Sequence, residues 1–220
     1  MDALERIRDL GYRWGDQQAI LYDPARVDVF PGLYLSNLWH DCKNSGRRRS
    51  GNGILEPLFC GMARIDHDAI IAYLTTRKLY ILGEWRQRII KADEPPRVDF
   101  IPLGFCFLTT GCQGKSGNSA FGAYAFFESA WRTPQQIVLT HLGIAALICE
   151  ENLLSLHGIR YSDNHLTARW MAQFGFRDIG VIPNYMIRYS TGELTDATIS
   201  TLNRETFEAL LGRATAVDGG

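Results

Sequence analysis

Long apolar runs are scarce in this sequence. The longest, Ile137 to Cys149, contains His141 and is too short to span a bilayer. Cysteine is present but builds no framework: the five residues Cys42, Cys60, Cys106, Cys112 and Cys149 are odd in number, scattered, and contain no C-x-x-C pair. That pattern argues against a disulfide scaffold and a zinc site, and for a reducing compartment, so a cytoplasmic location without a metal is expected. Neither sign of charge dominates. With 23 Lys and Arg against 24 Asp and Glu the net charge is −1, and no global field favours nucleic acid or an anionic membrane. The opening residues, M-D-A-L-E-R-I-R-D, are charged and amphipathic where a signal peptide would be apolar. Internal repeats are absent. A complete phosphate-binding P-loop is also missing: in T-T-G-C-Q-G-K-S, Lys115 and Ser116 follow Gly114 correctly, but Thr109 stands where the first glycine belongs. A glycine-rich hairpin loop is the better reading of that stretch.

What is there is an apolar fraction of 46% over 220 residues, enough for one domain with an appendage. Met1 to Tyr12 reads as a short amphipathic helix carrying Leu4, Ile7 and Leu10. A-I-L-Y (19–22) and V-D-V-F (27–30) are strand-like, and Leu33 to Trp39 is a short apolar stretch. Lys43 to Gly53, K-N-S-G-R-R-R-S-G-N-G, is the clearest loop. Its Arg47, Arg48 and Arg49 are available to an anion, although such a run is ordinarily solvated. Domain limits follow: an N-terminal extension over 1–53, a main domain over 54–200, and a C-terminal helix and tail over 201–220. Within the main domain a helix is predicted to begin at Asp66 and run to Thr75. Strands are predicted at 79–83, 98–109 and 120–131.

The segment from Trp131 to Tyr185 organises the rest. Thr133 is placed as an N-cap, Pro134 at the first helical position, and Gln136 three residues after the cap, as a capping box requires. The helix from there to about residue 151 is apolar nearly all round, and so is expected to be buried. A strand follows at 156–161. A second helix opens at Ser162, Asp163 and Asn164 and stops at Gly175, with Leu166, Trp170 and Phe174 sharing a face. Strands at 176–182 and 185–189, split at Pro183 and Asn184, close the segment, and the two helices are expected on opposite faces of the sheet.

Asn164, Gly175 and Phe176 have the spacing N-x10-G-F. With the order helix, strand, helix, strand pair, this resembles the closing motif of the GNAT superfamily of N-acetyltransferases over roughly Phe100 to Tyr189. The resemblance implies an α/β (α+β) fold: a mixed twisted sheet flanked by helices on both faces. It also implies an acyltransferase that moves an acyl group from acyl-CoA, such as acetyl-CoA, to an amine by direct attack. Cofactor contacts would come from Ala130, Trp131, Arg132, Thr133 and Gln135 at the start of the long helix, and from Asn164 beside the pantetheine arm. Glu128 would serve as general base, or else be a solvent-facing residue.

Two departures accompany the resemblance. The family's R/Q-x-x-G-x-G/A loop, aligned on Arg132, puts Gln135 and Ile137 where the glycines should be. Members with a tyrosine acid carry it seven residues after the Asn, and Met171 stands there. His157 and His165 near the strand-to-helix turn, and Tyr161, Tyr185 and Tyr189, remain open as site residues. His141 reads as a core histidine, and Trp85, Trp131 and Trp170 as core or pocket walls. The lost glycines keep two other readings in view. One is an N-acyl amino acid synthase-type enzyme that takes its acyl group from acyl carrier protein. The other is a catalytically inactive binding module.

Overall fold

A computed structural model describes residues 3–23, 66–88, 97–114, 117–188 and 191–217. Numbered in chain order, the described elements are α1 (Ala3–Asp9), β1 (Arg13–Trp14), β2 (Gln17–Leu21), α2 (His67–Thr75), β3 (Leu79–Arg88), β4 (Arg97–Gly114) and β5 (Gly117–Phe126). A single 3-10 turn (Glu128–Ala130) leads to α3 (Pro134–Glu150), β6 (Leu153–Tyr161), α4 (His165–Gln173), β7 (Arg177–Arg188), β8 (Glu193–Asn203) and α5 (Arg204–Val217). The strands form one sheet in the order β1-β2-β3-β4-β5-β6-β8-β7. Every pairing is antiparallel except β5 with β6. The mixed sheet with helices on both faces is as expected.

Strand alternation divides the core in two. Tyr80, Leu82, Leu103, Cys106, Ala120 and Phe126 face α1, α3, α4 and α5. Leu79, Ile81, Phe100, Phe105, Phe107, Ala125 and Phe127 face α2. The α3 helix is apolar nearly all round because it packs on the sheet with α1, α4 and α5 gathered around it, and its residues from Leu142 to Ile148 are all buried. Each buried Leu or Ile there contributes on the order of 2 kcal/mol. Gly143 lets α3 press onto the sheet: a Cβ at that position would lie 3.0 Å from Cys106 Sγ and 3.2 Å from Leu82.

Three expectations need correction. The α3 and α4 helices lie on the same face, in contact through His141 and Phe174, whose rings are 5.0 Å apart. The reason is topological. The β5-α3-β6 and β6-α4-β7 connections both join parallel strands and step the same way across the sheet, so right-handed crossovers put both helices on one side. Next, Pro183 and Asn184 do not divide the final strand. β7 runs through them with an irregularity between Ile182 and Met186, and Asn184 takes a φ of 51°. As an edge strand, β7 accommodates a residue without an N–H. Finally, β8 is a full strand that the sequence reading did not anticipate. It sits between β6 and β7 and crosses residue 200 before α5 begins. Its buried Thr198 and Ser200 bond Ser162 (2.8 Å) and Asp178 (2.6 Å), so polar side chains stand where an apolar alternation was sought.

At the N-terminus α1 buries Leu4 and Ile7 while Leu10 stays exposed, and β2 pairs along β3. The expected strand at 27–30, the stretch at 33–39 and the loop at 43–53 lie outside the described residues. The near-miss P-loop is the β4–β5 hairpin, in which Gly114 pairs with Gly117.

Candidate functional site

The parallel pair β5 and β6 separates part-way along. Its register runs from Asn118 with Leu153 to Phe121 with His157, and no further pairing follows. Beyond that point β5 continues to Phe126 paired only with β4, and β6 continues to Tyr161 paired only with β8. Between them the facing main-chain edges of residues 122–126 and 158–161 are left open. Both strands then run into helix starts, β5 through the 3-10 turn into α3 and β6 through Ser162 to Asn164 into α4. Two helix N-termini therefore stand at the mouth of the opening, where partial positive charge gathers.

A cleft of about 490 Å³ lies between these two helices, and its wall residue Trp170 packs against Tyr124 and Phe126 of the open part of β5. It is lined by Arg132, Thr133, Pro134, Gln136 and Ile137 from the start of α3, and by Leu166, Arg169, Trp170 and Gln173 from α4. The volume suits a small-molecule ligand. The α4 residues stand at i, i+3, i+4 and i+7, one face of the helix. That spacing is present in the sequence, but it overlaps the apolar series Leu166, Trp170 and Phe174, which masks Arg169 and Gln173.

The start of α3 is capped as the sequence requires. Thr133 Oγ1 accepts the Gln136 N–H at 3.4 Å. Gln136 reaches back one residue further than a simple capping box, accepting the Arg132 N–H on Oε1 at 3.0 Å. Arg132 holds this loop with a φ of 61° and an exposed side chain. Ala130 is buried, and Trp131 donates its indole N–H to the Phe126 carbonyl at 2.8 Å. Gln135 is half-buried in the first turn. Asn164 caps α4, its Oδ1 accepting the Thr167 N–H at 3.1 Å. Of the residues nominated from sequence, Arg132 and Thr133 line the cleft. Ala130, Trp131, Gln135 and Asn164 flank it. Glu128 falls in the 3-10 turn rather than on the strand, four residues before Arg132; only its backbone is described.

Several buried polar atoms around the opening lack a partner: Tyr124 Oη, Trp170 Nε1 and His157 Nδ1. The Tyr124 and Trp170 rings are 6.0 Å apart. Burial pushes the Tyr124 hydroxyl well above its ordinary pKa, so it stays protonated. At the vertex His157 packs against Phe121 at 5.2 Å, and its Nε2 lies 3.3 Å from Ser155 Oγ. Desolvation lowers its pKa, so the imidazole is neutral near pH 7. The helical face of the vertex is closed: a Cβ at Gly122 would meet Leu156 at 2.9 Å, and one at Gly158 would meet Met171 Cε at 2.3 Å. Met171 thus fills the space against β6, in place of a tyrosine. Tyr161 is committed to the Ile187 carbonyl at 3.0 Å, Tyr185 and His165 are exposed, and Tyr189 lies outside the described residues. No group of three or more His, Cys, Asp or Glu among the described residues could hold a metal ion, and no described helix is long and apolar enough to cross a membrane.

No family model and no curated protein sequence matches the chain. Solved structures do. A "probable acetyltransferase" of the GNAT family from Chromobacterium violaceum is 17% identical, with a TM-score of 0.60 over 90% of this chain and 87% of that one. Spermidine N-acetyltransferase from Vibrio cholerae, solved with CoA and spermine, is 10% identical, with a TM-score of 0.58 over 87% of this chain and 98% of that one. A GNAT-family acetyltransferase from Bacillus anthracis is 9% identical, with a TM-score of 0.54 over 88% and 98%.

The chain has the GNAT fold. Within the GNAT fold, the N-x10-G-F spacing has a structural meaning. Asn164 caps α4, and Gly175 ends it at a φ of 87° that other residues adopt at a cost.

Proposed function

We propose that this chain is an N-acyltransferase that moves an acyl group from acyl-CoA, acetyl-CoA in the first instance, to the amine of a small molecule or amino acid. One observation carries the reading: a parallel strand pair opens after Phe121 and His157, and the cleft between α3 and α4 adjoins the open part of β5 through Trp170, which packs on Tyr124 and Phe126. A pantetheine arm is an extended amide chain, and the open main-chain edge of residues 122–126 offers it the hydrogen bonds of a strand. The diphosphate would lie at the mouth by Arg132, Thr133 and Gln135, with Ala130 and Trp131 shaping the turn and Asn164 beside the arm. That fold neighbours include a spermidine N-acetyltransferase solved with CoA and spermine supports a thioester donor and a small amine acceptor.

Chemistry would proceed by direct attack. The acceptor ammonium gives up a proton, its nitrogen attacks the thioester carbonyl, and a backbone N–H on the open edge of β5 stabilises the oxyanion. The adduct then collapses: the C–S bond breaks, the nitrogen sheds its surplus proton, and the departing thiolate takes up a proton to leave as the thiol. Glu128 is the base proposed from sequence. Its backbone, however, stands next to Arg132 at the diphosphate end, whereas the thioester lies at the far end of the arm. His157 stands at that far end, neutral, on the sheet face that α3 and α4 leave open. Both are proposed as bases, and mutational kinetics separates them.

A carrier-protein donor, as in N-acyl amino acid synthase-type enzymes, is the second reading, with a non-catalytic module behind it. One observation favours both over CoA. The Arg132, Thr133 and Gln136 amides already bond to Gln136, Ala130 and Thr133, and Pro134 has none to give. Melting temperatures measured with saturating acetyl-CoA, long-chain acyl-CoA and acylated carrier protein test these readings. A rise with either CoA ester supports the first, a rise with the carrier alone supports the second, and no change with any of them leaves the non-catalytic module.

A further inference from the structure

The start of α3 lacks what a diphosphate ordinarily finds at a glycine-rich helix N-terminus. Three of its amides are occupied within the loop: Arg132 N–H on Gln136 Oε1 (3.0 Å), Thr133 N–H on the Ala130 carbonyl (3.3 Å), and Gln136 N–H on the Thr133 carbonyl (3.1 Å). Pro134 has no N–H. An anion that used the Arg132 amide would first have to displace the Gln136 side chain, and the other two amides are held by main-chain carbonyls. Yet the cleft beside them is strongly equipped for an anion in another way. Arg132 lines one wall and Arg169 the other, both exposed, and neither has a carboxylate partner among the described residues. Between them Trp170 contributes an indole N–H that is buried and without an acceptor, and Ile137 and Leu166 contribute apolar surface.

From this arrangement we infer that the donor's phosphate is gripped by a side-chain clamp, Arg132 from α3 and Arg169 from α4, in place of backbone amides. Trp170 Nε1 donates to an amide carbonyl of the attached pantetheine. The inference rests on the proposed function, because it takes the ligand to be a phosphopantetheine thioester. It adds Arg169 and Trp170 as binding residues and accounts for the lost glycines: guanidinium groups bind phosphate bidentately and need no close backbone approach. A clamp built of two exposed cations differs from a nest of amides in one measurable respect. Its strength is screened by salt.

The shared chemistry, a phosphopantetheine phosphate, occurs in coenzyme A and on holo acyl carrier protein, so both are probes. Calorimetry would be run with coenzyme A, with 4′-phosphopantetheine and with holo carrier protein, at low and high salt. The chains are wild type, Arg169→Gln, Arg132→Gln and Trp170→Phe, with melting temperatures to confirm folding. We expect Arg169→Gln and Arg132→Gln each to weaken the bound probe about tenfold or more at low salt, with the difference narrowing at high salt. Trp170→Phe, which keeps the ring and loses the donor, should also weaken it. Binding of coenzyme A identifies the free cofactor as the source of the phosphate, and binding of holo carrier protein alone identifies the carrier. If wild type binds a probe and Arg169→Gln binds it equally well at low salt, the clamp is wrong while the donor reading stands. If folded wild type binds none of the three, both fall.

Discussion

Phe121 and His157 are the last residues paired between β5 and β6, and their rings pack 5.2 Å apart at the point where the two strands part. By strand alternation this contact lies on the face away from α3, because neighbouring Ala120 and Leu156 belong to the α3 core. A group carried to the vertex along the open edge of β5 would meet the imidazole first.

Kinetics should reflect that placement. His157→Asn is expected to lower kcat about a hundredfold near neutral pH, with recovery at high pH where the acceptor amine is already deprotonated. Donor affinity should be unchanged. Glu128→Gln is expected to fall short of that loss, since its backbone lies at the mouth. A pH–rate profile for both variants and wild type is the check. If Glu128→Gln carries the large loss and His157→Asn none, the base is Glu128, as the sequence first suggested.

Stability should depend on pH through His141. This side chain lies against Phe174 and Phe207, with rings 5.0 and 6.1 Å away, and donates from Nδ1 to the Ile137 carbonyl at 3.0 Å. Burial lowers its pKa, opposed by that backbone bond. The unfolded chain, with a histidine pKa of about 6.5, therefore binds more protons than the folded one as the pH falls below that value. Stability is full above this point and is lost progressively as acid is added; His157 acts in the same direction. Replacing His141 with Phe should flatten the fall of the melting temperature below about pH 6.5. An unchanged slope in that variant would place the effect elsewhere.

The cap on α3 offers a separate test. Thr133→Ala removes the side-chain acceptor of the Gln136 N–H, which that N–H shares with the Thr133 carbonyl. A loss of about 1 kcal/mol is expected, or roughly 2–4 °C in melting temperature for a chain of this size. Thermal melts settle it.

At the end of α4, Gly175→Ala combines a φ of 87° with a Cβ only 2.6 Å from Leu210 Cδ1. The left-handed conformation alone costs about 1–2 kcal/mol, and the contact adds to it. Gly180→Ala on β7 is the control, since nothing lies within 4 Å of a Cβ there. Equal melting temperatures for the two variants would refute the role given to Gly175.

Much of the fold was legible because its signals are local. Thr133, Pro134 and Gln136 mark the start of α3, Asn164 and Gly175 bracket α4, and Asp66 caps α2. What stayed hidden depends on partners distant in the chain. β8 conceals its strand pattern because Thr198 and Ser200 are buried against Ser162 and Asp178. The shared face of α3 and α4 follows from strand order, which no local pattern reveals. The site was legible in part for the same reason. Arg132 and Thr133 could be named from the cap, whereas Arg169, Trp170 and His157 gain meaning only when α4 and the β5–β6 vertex are brought beside them.

The most direct measurement is calorimetry of the wild-type chain with acetyl-CoA at low salt, repeated with acylated carrier protein. We expect saturable binding at one site per chain with acetyl-CoA, followed by thiol release when a small-molecule amine is supplied. A folded chain that gives no heat with either donor would contradict the reading of the β5–β6 opening as a thioester site.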